Sequence, residues 1–253
     1  MRAFLAIVRV TLRQVIGGRR WIILGLVALL PAIVMWLSSA NLNEANSIAR
    51  YHDAPLVILF IIVLPLVALV LGSSALGDER RDGTLSFLLL RPLPRWTIVA
   101  AKFTASWLAA TAISCVAGIL ASAALAARAG TWVTLVPTVV GVAVSAACYT
   151  AVFLVLGHIT SRAVLVGLVY LFVWESGISF AAPALANVSL FRVGLTAYVG
   201  LVPAGTPGVA ALDEVLGLLV PGAGGAVAKA VGISIVCIAI GAVLLKRMDA
   251  TGE

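Results

Sequence analysis

Long apolar runs separated by short polar breaks dominate the pattern of this chain. Residues 21–40, 55–76, 103–127, 133–157, 163–182 and 227–245 form six such runs. Each is close to the ~20 apolar residues a helix needs to cross the hydrocarbon of a bilayer. Inside lipid an unpaired backbone group is costly, so such runs become helices. The pattern therefore predicts an all-α, polytopic membrane protein: one transmembrane domain over 1–253 with six transmembrane helices. Pro31, Pro65 and Pro137 fall within or near these runs and predict kinks.

Two stretches differ. In residues 1–18, Arg2, Arg9 and Arg13 fall within about 40° of one another at 100° per residue, with Phe4, Val8, Leu12 and Val15 on the other side. That is an amphipathic helix lying in the interface, broken from the first span at Gly17-Gly18. It acts either as an orienting flank or as an elbow that also touches a cytosolic partner. Residues 183–203 are only moderately apolar and carry Asn187, Ser189, Arg192 and Thr196, and 215–220 are apolar but too short to span. Residues 183–225 are expected to form short interfacial or re-entrant helices on one face, external in this topology. Small residues such as Ala109, Ala110, Ser114 and Gly118 suit close packing of the third span.

Composition removes the soluble alternatives. Of the 253 residues, 62% are hydrophobic and 11% charged, against about 25% charged in soluble domains. The net charge of +7 then marks membrane orientation rather than nucleic-acid binding. With the N-terminus inside, the 17 Lys and Arg residues divide unevenly. Only Arg50, Arg128, Arg192 and the bordering Lys229 fall outside. That bias places both termini in the cytoplasm. A cleaved leader is disfavoured, because its apolar core would exceed the ~7–15 residues of a signal peptide. Cys115, Cys148 and Cys237 lie within apolar stretches and read as inert thiols, with no metal spacing.

Catalytic chemistry is sparse. The two histidines, His52 and His158, fall on opposite sides in this topology. "PGAGGAVAK" at 221–229 lacks the Gly-Lys-Ser/Thr of a phosphate loop. Glu175 is the one acid inside a predicted span. It either lines a translocation path, pairs with a basic group, titrates, or makes a satisfied contact between helices.

The polar segment after the second span, "GDERRDGTLSFLLLRPLPRW" at 77–96, carries the sharpest signal. Gly83-Thr84 interrupts the charged run, and Thr84 can cap a short helix through Leu85, Phe87, Leu88, Leu89 and Leu90. Pro92 and Pro94 end it, and Arg95, Trp96 and Lys102 then anchor the third span at the interface. A short apolar helix between charged turns suits a partner's groove; the plainer reading packs it on its own bundle.

The pattern Glu79-Arg-Arg-Asp-Gly83-Thr84-Leu85, Leu88-Leu89, Pro92-Leu-Pro-Arg95-Trp and Ala101-Lys102 resembles the signature of ABC-2 type permeases, the membrane subunits of type V ABC exporters. In motif the resemblance covers 79–102; in topology it covers the whole chain. Pro94 departs from it, standing where members commonly carry a small hydroxyl residue. The resemblance implies that 77–99 is a cytoplasmic coupling segment, with a coupling helix at 79–90. Glu79, Arg80, Arg81, Gly83, Thr84, Leu85 and Leu88 would lie at or near the contact with an ABC ATP-binding subunit. Two such subunits would serve two permease copies, identical or homologous, with the path lined mainly by spans two and five and Glu175 a candidate on it. ATP and Mg would bind the partner, so this chain is no enzyme and holds no cofactor of its own. A bacterial inner membrane is implied, and 183–225 would be the external gate or cap segment. Apolar walls favour a hydrophobic or amphipathic substrate. Two rivals remain: a non-transporting membrane anchor that docks a cytosolic partner, and an intramembrane catalyst built on Glu175.

Overall fold

The computed structural model describes residues 2–16, 20–40, 42–81, 83, 94–178, 189–216 and 222–251. Among these residues every regular element is a helix. Five helical runs are long and apolar enough to cross a membrane: Trp21–Ser38, Glu44–Arg81, Arg95–Ala129, Leu135–Ile159 and Gly222–Lys246. Ala163–Glu175 is apolar but shorter, and the last residues of the expected fifth span, 179–182, lie outside the described set. Gly17-Gly18 lies outside it too.

Helix α1 (Arg2–Ile16) is amphipathic in the expected sense. Val8 is buried and packs with Phe4, Ile7 and Leu12 around Ala101 and Ala105, while Arg9 and Arg13 are exposed. The first apolar run is two helices, α2 (Arg20–Ala28) and α3 (Leu30–Ser38), meeting at Leu29. Pro31 sits in the first turn of α3. Its ring cannot follow a continuous helix, but it suits a helix start.

The second run starts before its apolar part. Polar helix α4 (Glu44–Asp53) is capped by Asn43, whose side chain accepts the Asn46 N–H at 2.9 Å. Helix α5 (Pro55–Ile58), a π-helical turn at Leu59–Val63 and α6 (Leu64–Arg81) follow. The wide turn lies directly ahead of Pro65, where the i→i−4 ladder loses a donor. Pro137 does not kink its helix. It stands in the first turn of α8 (Leu135–Ile159), where a missing N–H costs nothing. Between them runs α7 (Arg95–Ala129), closed by Gly130 in the left-handed region at φ 68°.

Helix α9 (Ala163–Val169) continues as a π-helix over Tyr170–Ile178. Then come α10 (Leu190–Val199), α11 (Val209–Leu216) and α12 (Gly222–Thr251). Within 183–225, α10 is no surface helix: Phe191 and every residue from Val193 to Tyr198 are buried. It packs mainly on α8 and α12.

The most extensive contact is between α6 and α8, and small residues make it. A Cβ on Gly72 would meet the Thr150 carbonyl oxygen at 3.1 Å, and one on Gly77 the Gly157 oxygen at 3.0 Å. Leu245 of α12 packs with Ala75, Leu76, Val99 and Leu154. Helix α1, the end of α12 and the ends of α6 and α8 therefore meet at one end of the bundle, called here the basic end.

At the far end, buried polar groups tie the bundle together. The Tyr51 hydroxyl shares hydrogen bonds with Thr138 at 2.8 Å and Ser122 at 3.2 Å. His52 bonds the Ile48 carbonyl at 2.9 Å and the Tyr198 hydroxyl at 2.8 Å. Tyr51→Phe leaves Thr138 bonded to the Thr134 carbonyl at 2.7 Å. The expected loss is therefore modest, ~1–2 kcal/mol in thermal unfolding of purified protein.

Candidate functional site

The last two turns of α6 carry Asp78, Glu79, Arg80 and Arg81, and three helices converge there. Arg81 pairs with Asp78 one turn back, on the exposed side. Glu79 and Arg80 instead turn toward neighbouring helices. Glu79 Oε1 accepts from Lys102 Nζ of α7 at 2.5 Å. The same ammonium donates to the Ala75 carbonyl of α6 at 2.7 Å. The Arg80 guanidinium donates to the carbonyls of His158 and, at 3.0 Å, Ile159. These are the last two residues of α8, whose terminal carbonyls lack partners within the helix. A cation there also meets the negative end of the helix dipole.

Lys102 departs from expectation. An interfacial anchor would be exposed, yet Lys102 is 1% exposed. The reason is local. Pro94, with ψ 134°, starts α7 at Arg95, so Lys102 lies two turns inside the helix. Trp96, near the helix start, is 61% exposed and keeps the surface position. A buried ammonium costs several kcal/mol unless its donors are engaged; here one carboxylate and one carbonyl engage it.

Beyond Arg81 the chain passes Gly83, exposed at φ 67° with its N–H directed to the Arg80 carbonyl at 3.4 Å. That conformation favours glycine. A Cβ there would meet nothing within 4 Å, so any penalty is purely one of backbone. Thr84, Leu85 and Leu88 lie outside the described residues.

Glu175 stands apart, on the π-helical part of the fifth run. The residue is 4% exposed. Oε1 accepts the Tyr170 hydroxyl at 2.9 Å and the Leu190 N–H at 2.8 Å, and Oε2 accepts the Ser189 hydroxyl at 2.6 Å. Leu190 is the first residue of α10 and Ser189 its N-cap. The carboxylate thus binds the positive end of that helix. Three protein donors occupy the carboxylate in a contact between elements.

The structure brings Glu79, Arg80, Arg81 and Gly83 together at the basic end and leaves Glu175 elsewhere. Sequence reasoning omitted Lys102 and the terminal carbonyls of α8 from the site. The available signal was Lys102's position, seven residues into a helix that Pro94 starts. Backbone acceptors leave no sequence signal.

A family model described as ABC-2 family transporter protein matches residues 5–250. No curated protein matches the chain.

Proposed function

The chain belongs to the ABC-2 transporter family, whose members are membrane transport components, and on that premise we propose that it is the permease subunit of an ATP-driven exporter. The basic end faces the cytosol, in keeping with the unequal distribution of Lys and Arg. Segment 79–90 docks on a separate ATP-binding subunit, which holds ATP and Mg and performs hydrolysis. Two permease copies and two ATP-binding subunits form the working unit, with the translocation path between the permeases. Glu175 stands at the wall of that path. There it holds the start of α10, with its oxygens occupied by three protein donors.

One observation carries the coupling reading. The start of the docking segment is not a loose tether. Glu79 is bonded to α7 and Arg80 to the end of α8, so a push on the segment reaches three spans at once. Rigid, bonded helices are the physical means by which a local displacement becomes a collective one.

Co-expression of the tagged chain with an ABC ATP-binding subunit from the same genome tests the reading. A complex of two plus two, with ATP hydrolysis confined to the partner, is expected. A chain that purifies without any nucleotide-binding subunit contradicts it. A complex that hydrolyses ATP with no nucleotide-dependent change in the permease favours the anchor instead.

Gly83 gives a finer prediction. Gly83→Val forces a β-branched residue to a left-handed φ, at a cost of ~1–2 kcal/mol, and is expected to weaken complex formation. Gly83→Asn tolerates that conformation and is expected to retain it. The measurement is the ATP-binding subunit recovered per permease.

A further inference from the structure

We infer that Lys102 is a positioning residue for coupling: it transmits movement of the docking segment into α7, and through it to the far end of the bundle. The inference rests on the permease reading above and adds to it a residue on a different span from the docking segment.

Lys102 Nζ spans two consecutive turns of α6. It holds the Ala75 carbonyl at 2.7 Å and Glu79 Oε1 at 2.5 Å. Ala75 and Glu79 are four residues apart, so one ammonium grips one face of the final turns of α6. Those turns carry the start of the docking segment and lead directly to Gly83. The grip is dry, with Lys102 1% exposed and the Glu79 side chain 18% exposed. An exposed pair of this kind would be loosened by water and salt. Here α6 cannot slide along α7 without taking an ammonium off its acceptors in a low-dielectric setting.

Helix α7 is continuous from Arg95 to Ala129, ~50 Å at 1.5 Å per residue. At its other end, Ser122 meets the Tyr51 hydroxyl. The neighbouring His52 bonds Tyr198 of α10. A displacement gripped at Lys102 therefore has a bonded route to the far end. Packing alone does not account for a lysine at this position. A methionine fills similar space without burying a charge, and its neighbours along α7, Val99, Ala101 and Ala105, are apolar and buried.

The test uses the permease in complex with its ATP-binding subunit, reconstituted in nanodiscs. A single cysteine replaces Ala204, which is exposed at the far end, and the three native cysteines are replaced by alanine. The rate at which a maleimide labels this cysteine is compared without nucleotide and after trapping with MgATP and vanadate. In the otherwise unaltered chain the rate is expected to change at least about fivefold, the lower range of allosteric coupling. No change there overturns the permease reading itself.

With Lys102→Met the ATP-binding subunit is expected to co-purify and hydrolyse ATP, while the labelling response falls to near onefold. Lys102→Arg, which keeps the charged donors, is expected to restore most of it. A Lys102→Met response equal to the parent overturns the inference. So does loss of the ATP-binding subunit from the Lys102→Met complex, which would make Lys102 part of the docking surface. If Lys102→Met does not fold, Lys102→Gln takes its place: it keeps an N–H donor and removes the charge. A reduced response with retained ATP hydrolysis then supports the inference, and an unchanged response overturns it.

Discussion

Adding one methyl group at Gly157 is expected to remove most of the folded protein from the membrane. The Cβ of Gly157→Ala would lie 2.2 Å from the Ser73 carbonyl oxygen and 2.7 Å from the Ser73 Cα. Both atoms are backbone, so no rotamer change relieves the clash. Helices α6 and α8 must part, and they form the most extensive contact in the fold. Parting them also draws the end of α8 away from Arg80. Overpacking of a tight interface costs ~1–3 kcal/mol and occasionally more, and a backbone collision belongs at the upper end. Two controls isolate the cause. A Cβ on Gly167 would also come within 2.2 Å of a neighbour, but that neighbour is the terminal Cδ1 of Leu69, which can rotate away. A Cβ on Gly232 meets nothing within 4 Å, and there alanine should be neutral or stabilising through helix propensity. Monodisperse yield and thermal unfolding in detergent should rank Gly157→Ala far below Gly167→Ala, with Gly232→Ala unaffected. Equal behaviour of Gly157→Ala and Gly232→Ala would show that the two helices do not pack this closely.

The second large effect is expected at Glu175. Glu175→Leu leaves the Tyr170 hydroxyl, the Ser189 hydroxyl and the Leu190 N–H without their shared acceptor. Each buried orphan costs ~1–3 kcal/mol, and the start of α10 loses its negative counter-charge. Glu175→Gln keeps one carbonyl oxygen but turns an amide N–H toward donors, so it falls between. The readout is hydrogen exchange of the amides of Leu190–Val199. Every 1.4 kcal/mol of local stability is tenfold in the opening equilibrium. Glu175→Leu should therefore accelerate these amides by more than about tenfold, while the amides of Leu135–Ile159 change little. Unchanged exchange in α10 would show that the carboxylate is not what holds it.

The contrast between these two sites explains what the sequence could and could not reveal. Spans were legible because lipid imposes a simple rule on each helix separately, and α7, α8 and α12 lie where their apolar runs lie. The rule also hides things. It made Lys102 look like the end of a span, because hydropathy drops there, although Pro94 had already started the helix. It allowed α10 only as a short interfacial or re-entrant helix and did not reveal its burial against α8; the close approach of Gly194 to Ser145 that permits this joins residues far apart in sequence. Glu175 was visible as an anomaly, but its acceptor role depends on Ser189 and Leu190 arriving from beyond its own helix. Gly83 was legible as a break because only its own backbone conformation is involved. Arg80 was visible as a charge, but its partners are carbonyls at the end of α8, and carbonyls belong to every residue alike.

The central claim is that the end of α6 and the segment after it meet an ATP-binding subunit. Photo-cross-linking from position 81 tests it most directly, because Arg81 is exposed next to the braced Glu79 and Arg80. A photoreactive residue there, in cells that co-express the ATP-binding subunit recovered with the chain, should form an adduct with that subunit whose yield changes on MgATP–vanadate trapping. The same probe at Ala204, at the far end, should form none. An adduct from position 204 but not from 81, or none from either in a complex that co-purifies, would contradict the account.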